Sequence, residues 1–209
     1  MALALHRTRS MRGERGYTLI EMMMVVGLIA VVGAMVIPIT DTSLRGGRLR
    51  GDAAIIRNLV SVAKMRASSR FTRARVYADL GARTYVLQVW SKASPTCCWV
   101  NDGGLNQLST GVNFGFGGLQ MPPVNTQVNI GQSPLCTTGL NILDGTTANT
   151  ACVTFNSRGL PVDGDGALFG GHALYVTGND AVFATTITTT PLIRFWSSPH
   201  TTTYSWTLR

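Results

Sequence analysis

From Met22 to Ile37 the chain carries only apolar and small side chains, and the run stops at Pro38. Counted from Tyr17, residues 17–37 would make a helix about 30 Å long, enough to cross the hydrocarbon of a bilayer, so the pattern predicts one membrane span. Beyond Pro38 the period changes. Leu49, Ala53, Ile56, Val60, Ala63 and Ala67 recur every three or four positions, with Ile55, Leu59 and Val62 widening the stripe. This predicts an amphipathic helix over about Asp52–Ser69. Gly46, Gly47 and Gly51 stand just ahead of it, and each costs a helix about 1 kcal/mol relative to Ala, which predicts a loosened or melted join between the two segments.

After Ser69 the period falls to two. Ala74–Leu80 and Thr84–Trp90, around Gly81-Ala82-Arg83, predict a β-hairpin with Tyr85, Leu87 and Val89 on the face toward the helix. Residues 91–150 are rich in Gly, Asn, Thr and Pro and show only short candidates such as Gln127–Ile130, although sixty residues without any element are improbable in a folded domain. Strands are predicted again at Ala151–Phe155, Ala173–Thr177, Ala181–Thr186, Leu192–Trp196 and Thr203–Leu208, with a turn over 156–161. One helix followed by many short strands implies an α+β fold, the helix lying across antiparallel sheets.

Composition narrows the compartment. Charged residues are only 13% of the 209 positions, while cysteines occur at 97, 98, 136 and 152, all after the predicted span. Arg7, Arg9, Arg12 and Arg15 precede the span with Glu14 as the one opposing acid. That flank is expected to stay cytoplasmic, which puts everything after Pro38 on the oxidising side where disulfides persist. Neighbouring Cys97 and Cys98 strain a direct bond. Either Cys136 and Cys152 pair across a loop and leave the Cys97/Cys98 couple vicinal, or the pairing is crossed. Zinc is the weaker reading, because no C-x-x-C or His spacing accompanies these thiols.

An ordinary secretory signal would place a small-residue cleavage site after a short apolar core, whereas here the small residue, Gly16, comes before a long one. Glu21 is the one acid in the run; a carboxylate there costs roughly 2.5–3.5 kcal/mol at a span's centre, less near its end, and usually marks function. The stretch Arg15-Gly16-Tyr17-Thr18-Leu19-Ile20-Glu21 resembles the processing site of type IV pilins and of the pseudopilins of type II secretion. The resemblance implies that a prepilin peptidase cuts after Gly16 and methylates Tyr17, whose place is more usually held by Phe. It further implies that Glu21, fifth from Tyr17, pairs with a neighbouring subunit's terminal amine during assembly, and that Pro38, twenty-second, is a familiar feature of the helix. Met11 as the start would give a leader of more typical length.

The expected organisation is a cleaved leader over 1–16, a transmembrane and assembly helix over 17–38, and a periplasmic α+β domain over 39–209. Phe155, Asn156, Arg158 and Gly159 in a strand-and-turn resemble the GspH/FimT group, which implies a minor subunit at or near the tip of a pseudopilus or pilus. Its partners would be other pilins or pseudopilins, the prepilin peptidase, an inner-membrane assembly platform and, before assembly, the membrane; the chain would be no enzyme and need no cofactor.

Three rival chemistries are weighed against this. Asp163-Gly164-Asp165-Gly166 lacks the further acids a calcium loop needs, so a plain turn is expected. His6, His172 and His200 have no acid or nucleophile at a recognisable spacing. Members of the resembled group can bind DNA through a basic stretch near the carboxyl end, which would use Arg194 and Arg209. Yet the basic excess lies in 41–83, with ten basic residues against three Asp, and after Arg83 four basic residues face five Asp, net −1. DNA binding is therefore the alternative.

Overall fold

The computed structural model describes residues 16–91, 93, 98–119, 132–200 and 205–209, the side chains of 35–42 excepted. Among these a single α-helix, α1 (Leu19–Ser69), is followed by short strands. The strands are β1 (Ala74–Asp79), β2 (Thr84–Trp90), β3 (Trp99–Asn101), β4 (Asn106–Gln107), β5 (Asn113–Phe114), β6 (Cys136–Thr137), β7 (Thr146–Thr147), β8 (Thr150–Phe155), β9 (Pro161–Val162), β10 (His172–Thr177), β11 (Ala181–Ile187), β12 (Ile193–Pro199) and β13 (Thr207–Leu208). The chain divides into two units, Met1–Thr42 and Ser43–Arg209.

In the first unit the helix leaves its apolar side chains in solvent: Leu19, Ile20, Met22, Met23, Met24, Val25, Val26, Leu28, Ile29, Val31 and Val32 are all exposed. No helix is long and apolar enough, among the described residues, to cross a membrane. The span expected over 17–38 includes 35–38, whose side chains lie outside the described residues.

The second unit is the expected α+β arrangement. Its antiparallel sheets run in the order β3-β2-β1-β8-β9, with β4 also on β2, and β13-β12-β11-β10-β5, while β6 and β7 pair by themselves. Leu49, Ala53, Ile56, Val60, Ala63 and Ala67 bury one face of α1 against Val76, Leu87 and Val153 of the first sheet and Leu174, Val176 and Ile187 of the second. Period two explains the division within β10: Leu174 and Val176 enter that core, whereas Ala173 and Tyr175 face a smaller one with Leu119, Val182, Ala184 and Trp196. The predicted face of β2 is right, for Tyr85, Leu87 and Val89 are all in the main core.

The expected loosening at Gly46, Gly47 and Gly51 does not occur, since all three lie inside α1 and the helix begins well before Asp52. Burial on both sides of Gly51 explains this. Leu49 is buried, and Asp52 is buried too, its carboxylate accepting from the Ser109 N–H at 2.8 Å and the Ser109 hydroxyl at 3.1 Å. Burying Leu49, Ile56 and Val60, at about 1.5–3 kcal/mol each, outweighs three glycines at about 1 kcal/mol each. Once a turn is fixed, each further residue adds a hydrogen bond, so the ladder carries on through Gly46 and Gly47.

The hairpin register is Ala74↔Val89 to Asp79↔Thr84. The first strand ends at Asp79 because the Leu80 N–H turns to the Asn149 carbonyl at 2.8 Å. In the turn the left-handed residue is Arg83, φ 58°, and the Asp79 carboxylate accepts the Ala82 N–H at 2.8 Å. The irregular region holds β3 to β7 and a 3₁₀ turn at Ile142–Asp144, while the Gln127–Ile130 candidate lies outside the described residues. Of the predicted carboxyl-terminal strand, Thr207–Leu208 is a strand, and 203–204 lie outside the described residues.

The predicted 156–161 turn closes on Asn156, whose side-chain oxygen accepts the N–H groups of Arg158 at 2.9 Å and Leu160 at 3.1 Å. Gly159 has φ +73°, and a Cβ there would stand 2.7 Å from the Ser68 hydroxyl near the end of α1. The left-handed φ favours glycine there, and a larger residue would also have to turn the Ser68 hydroxyl aside.

Candidate functional site

The amino-terminal site is built by the start of a helix. Gly16 lies exposed outside any regular element, and a Cβ at that position would meet no atom within 4 Å. Nothing among the described residues crowds this position. Tyr17 follows at 79% exposure. Thr18 then caps α1: its hydroxyl accepts the Glu21 N–H at 3.4 Å, and its carbonyl accepts the Met22 N–H at 3.2 Å. Glu21 thus stands in the first turn, where the unpaired N–H groups and the helix dipole favour a negative charge. The role of Thr18 was readable from the Thr-x-x-Glu spacing, which marks a capped helix start. Pro38 is helical in its backbone, and its side chain lies outside the described residues. Residues 1–15 also lie outside them.

Cys136 and Cys152 are joined, with 5.0 Å between their Cα atoms, and bridge β6 to β8. The crossed pairing is thereby overturned: the Thr150 hydroxyl accepts the Cys136 N–H at 3.0 Å, fixing β6 where Cys152 of β8 meets it. Cys98 is buried and disulfide-bonded; Cys97 lies outside the described residues. No free cysteine and no metal-holding group of three or more His, Cys, Asp or Glu occurs among the described residues.

Arg194 and Arg209, fifteen positions apart, come together in one groove of about 720 Å³. The helix contributes Arg57, whose guanidinium lies 5.5 Å from the centre of the Phe195 ring. Trp206 also lines the groove. Arg209 is held by its Nε, which donates to the Ser197 hydroxyl at 2.9 Å, and by its backbone N–H, which donates to the Phe195 carbonyl at 2.8 Å. The place of Arg57 in this cluster could not be read from spacing, because the sheet alone brings its face of α1 to β12.

At Asp163 the chain makes a turn whose carboxylate is occupied: one oxygen accepts from the N–H of Asp165 at 3.0 Å and of Ala167 at 2.9 Å. Asp165 in turn accepts the Ile142 N–H at 3.1 Å. His200 pairs with the Thr177 hydroxyl at 3.1 Å, and His172 is buried with its Nε2 2.9 Å from the Val162 carbonyl. Burial pushes the His172 imidazole down to about 4, against the pull of the Val162 and Cys152 carbonyls and Asp163.

Among the described residues Arg75 is a buried cation that the sequence pattern does not reveal. Arg75 donates to the Gln88 side chain at 2.8 Å and to the Thr137 carbonyl at 2.7 Å, beneath the Trp99 ring at 4.0 Å. Burial lowers it to about 9, Tyr77 opposing. Together with Arg73, which donates to the Leu140 carbonyl at 2.7 Å, it fastens the 136–140 segment over the first sheet. Both are structural ties, and alternation alone would have placed Arg75 in solvent.

Residues 11–37 match the family described as the prokaryotic N-terminal methylation motif. The segment it covers takes in the open glycine, Tyr17, the capped helix start and Glu21, and stops short of the second unit. The match is confined to this amino-terminal segment, 27 of the 209 residues. Among solved structures the chain is similar to the minor pseudopilin EpsH from the Type 2 Secretion System of Vibrio cholerae, at 9% identity and a TM-score of 0.35, over 78% of this chain and 96% of that one. No curated protein matches the chain.

Proposed function

We propose that the chain is a structural subunit, a minor pilin or pseudopilin, made as a precursor and incorporated at or near the tip of a type II secretion pseudopilus or a type IV pilus. The observation that carries this is the methylation motif over residues 11–37, set on a helix whose apolar residues from Leu19 to Val32 are exposed among the described residues. Such a surface needs a solvent other than water. Lipid supplies it before assembly, in a single inner-membrane span with the second unit in the periplasm, and the helices of other subunits supply it afterwards.

In this reading the peptidase cuts after Gly16, whose lack of a side chain suits a site that must admit the leader's last residue, and methylates Tyr17. Glu21 then meets a neighbour's Tyr17 amine, an attraction strengthened where water is excluded. An assembly platform moves the subunit, and the chain itself catalyses nothing.

Intact-mass analysis of protein from the native host should show a chain beginning at methylated Tyr17, and Gly16→Val should accumulate the uncut form. Residues 1–16 retained in assembled material would sink the proposal. Glu21→Ala should leave insertion and cleavage intact while lowering incorporation, read as co-purification with pilin partners.

A further inference from the structure

The groove that Arg57, Arg194 and Arg209 share has no acidic side chain in its lining among the described residues. Its rim is apolar as well as cationic, for Leu192 is 50% and Leu208 59% exposed. Leaving both in water forgoes about 25 cal/mol for each Å² that a partner could cover. The guanidinium of Arg209 is already fixed by Ser197, so part of the ordering cost of binding is met in advance.

An occupant that answers both features carries carboxylates and apolar side chains close together on a short extended stretch. Nucleic acid fits less well. Phosphate backbones are held by an extended track of cations, whereas this groove gathers its three arginines in one place. Of the aromatic residues in the lining, Trp196 is buried and Phe195 and Trp206 are half-buried, so the surface most open to an occupant is that of Leu192 and Leu208, which suits an aliphatic side chain better than a base.

We propose that this groove between α1 and β12–β13 docks an extended acidic segment of a partner protein, one in which Asp or Glu alternates with apolar residues. The inference concerns the second unit alone and stands whether or not the amino terminus is processed as proposed above.

The test pans a random linear-peptide display library on the full chain in detergent. Enriched peptides should combine acidic with apolar residues, and a synthetic copy should lose affinity about tenfold or more on Arg57→Glu. Leu208→Asp on the rim should weaken it likewise, and Arg158→Glu, an exposed cation elsewhere in the unit, should leave it unchanged. Enrichment of peptides without acidic residues, or affinity indifferent to both Arg57→Glu and Leu208→Asp, overturns the proposal. So does a single-stranded DNA oligonucleotide that binds the groove more tightly than the selected peptides and is lost on Arg57→Glu.

Discussion

The two parts of α1 are made of similar residues and treat them oppositely. From Leu19 to Val32 the leucines, isoleucines, methionines and valines are exposed, whereas Leu49, Ile56 and Val60 are among the most buried residues of the chain. The difference lies in pattern rather than in hydrophobicity. An apolar stripe every three or four residues can be covered by two sheets on one side, while a helix apolar all round has no polar face to leave in water. The first part therefore has no core of its own among the described residues, while the second rests on the core of its unit.

Substitutions on the two parts should break this symmetry of composition most visibly. Ile56→Ala, in a closed core, should lower stability by about 2–5 kcal/mol in a urea titration of the full chain in detergent. Ile29→Ala should leave that titration unchanged. Equal losses at both positions would mean that the first part also rests on a core within the chain.

A smaller effect comes from acid. His172 is buried in the second unit and holds its proton only below about 4, whereas unfolded it takes one near 6.5. The unfolded state therefore binds more protons in this window, so stability is retained above about 6.5 and lost as pH falls towards 4, by up to about 3 kcal/mol. His172→Gln should show a shallower decline over that interval in thermal unfolding, and an identical slope would show that His172 is not the group responsible.

The smallest change sharpens the comparison at the join. A Cβ at Gly46 or Gly47 would meet no atom within 4 Å, so neither glycine is needed for packing. Gly46→Ala and Gly47→Ala should each strengthen the helix by up to about 1 kcal/mol, seen as slower amide hydrogen exchange over 43–50. Faster exchange would indicate a backbone shape there that alanine cannot take.

The amino-terminal motif and the elements of strong period are legible in the sequence alone. Gly16, Tyr17 and Glu21 are brought together by closeness along the chain, so their spacing is legible without a fold, and the match over residues 11–37 falls on that segment. The same holds for the hairpin, for the buried stripe of α1 apart from the exposed Ile55, and for β8, β10, β11 and β12, where local pattern and tertiary burial agree, whereas β9 falls where only a turn is read from the sequence. Features that depend on residues distant in the chain emerge with packing. Gly51 stays helical because Leu49 and Asp52 are buried beside it, and Cys136 finds Cys152 because β6 lies against β8. Arg57 meets Arg194 and Arg209 because the second sheet packs on the helix. Periodicity records which face of an element is buried, but not what buries it, so a contact between elements becomes legible only when the fold has brought them together.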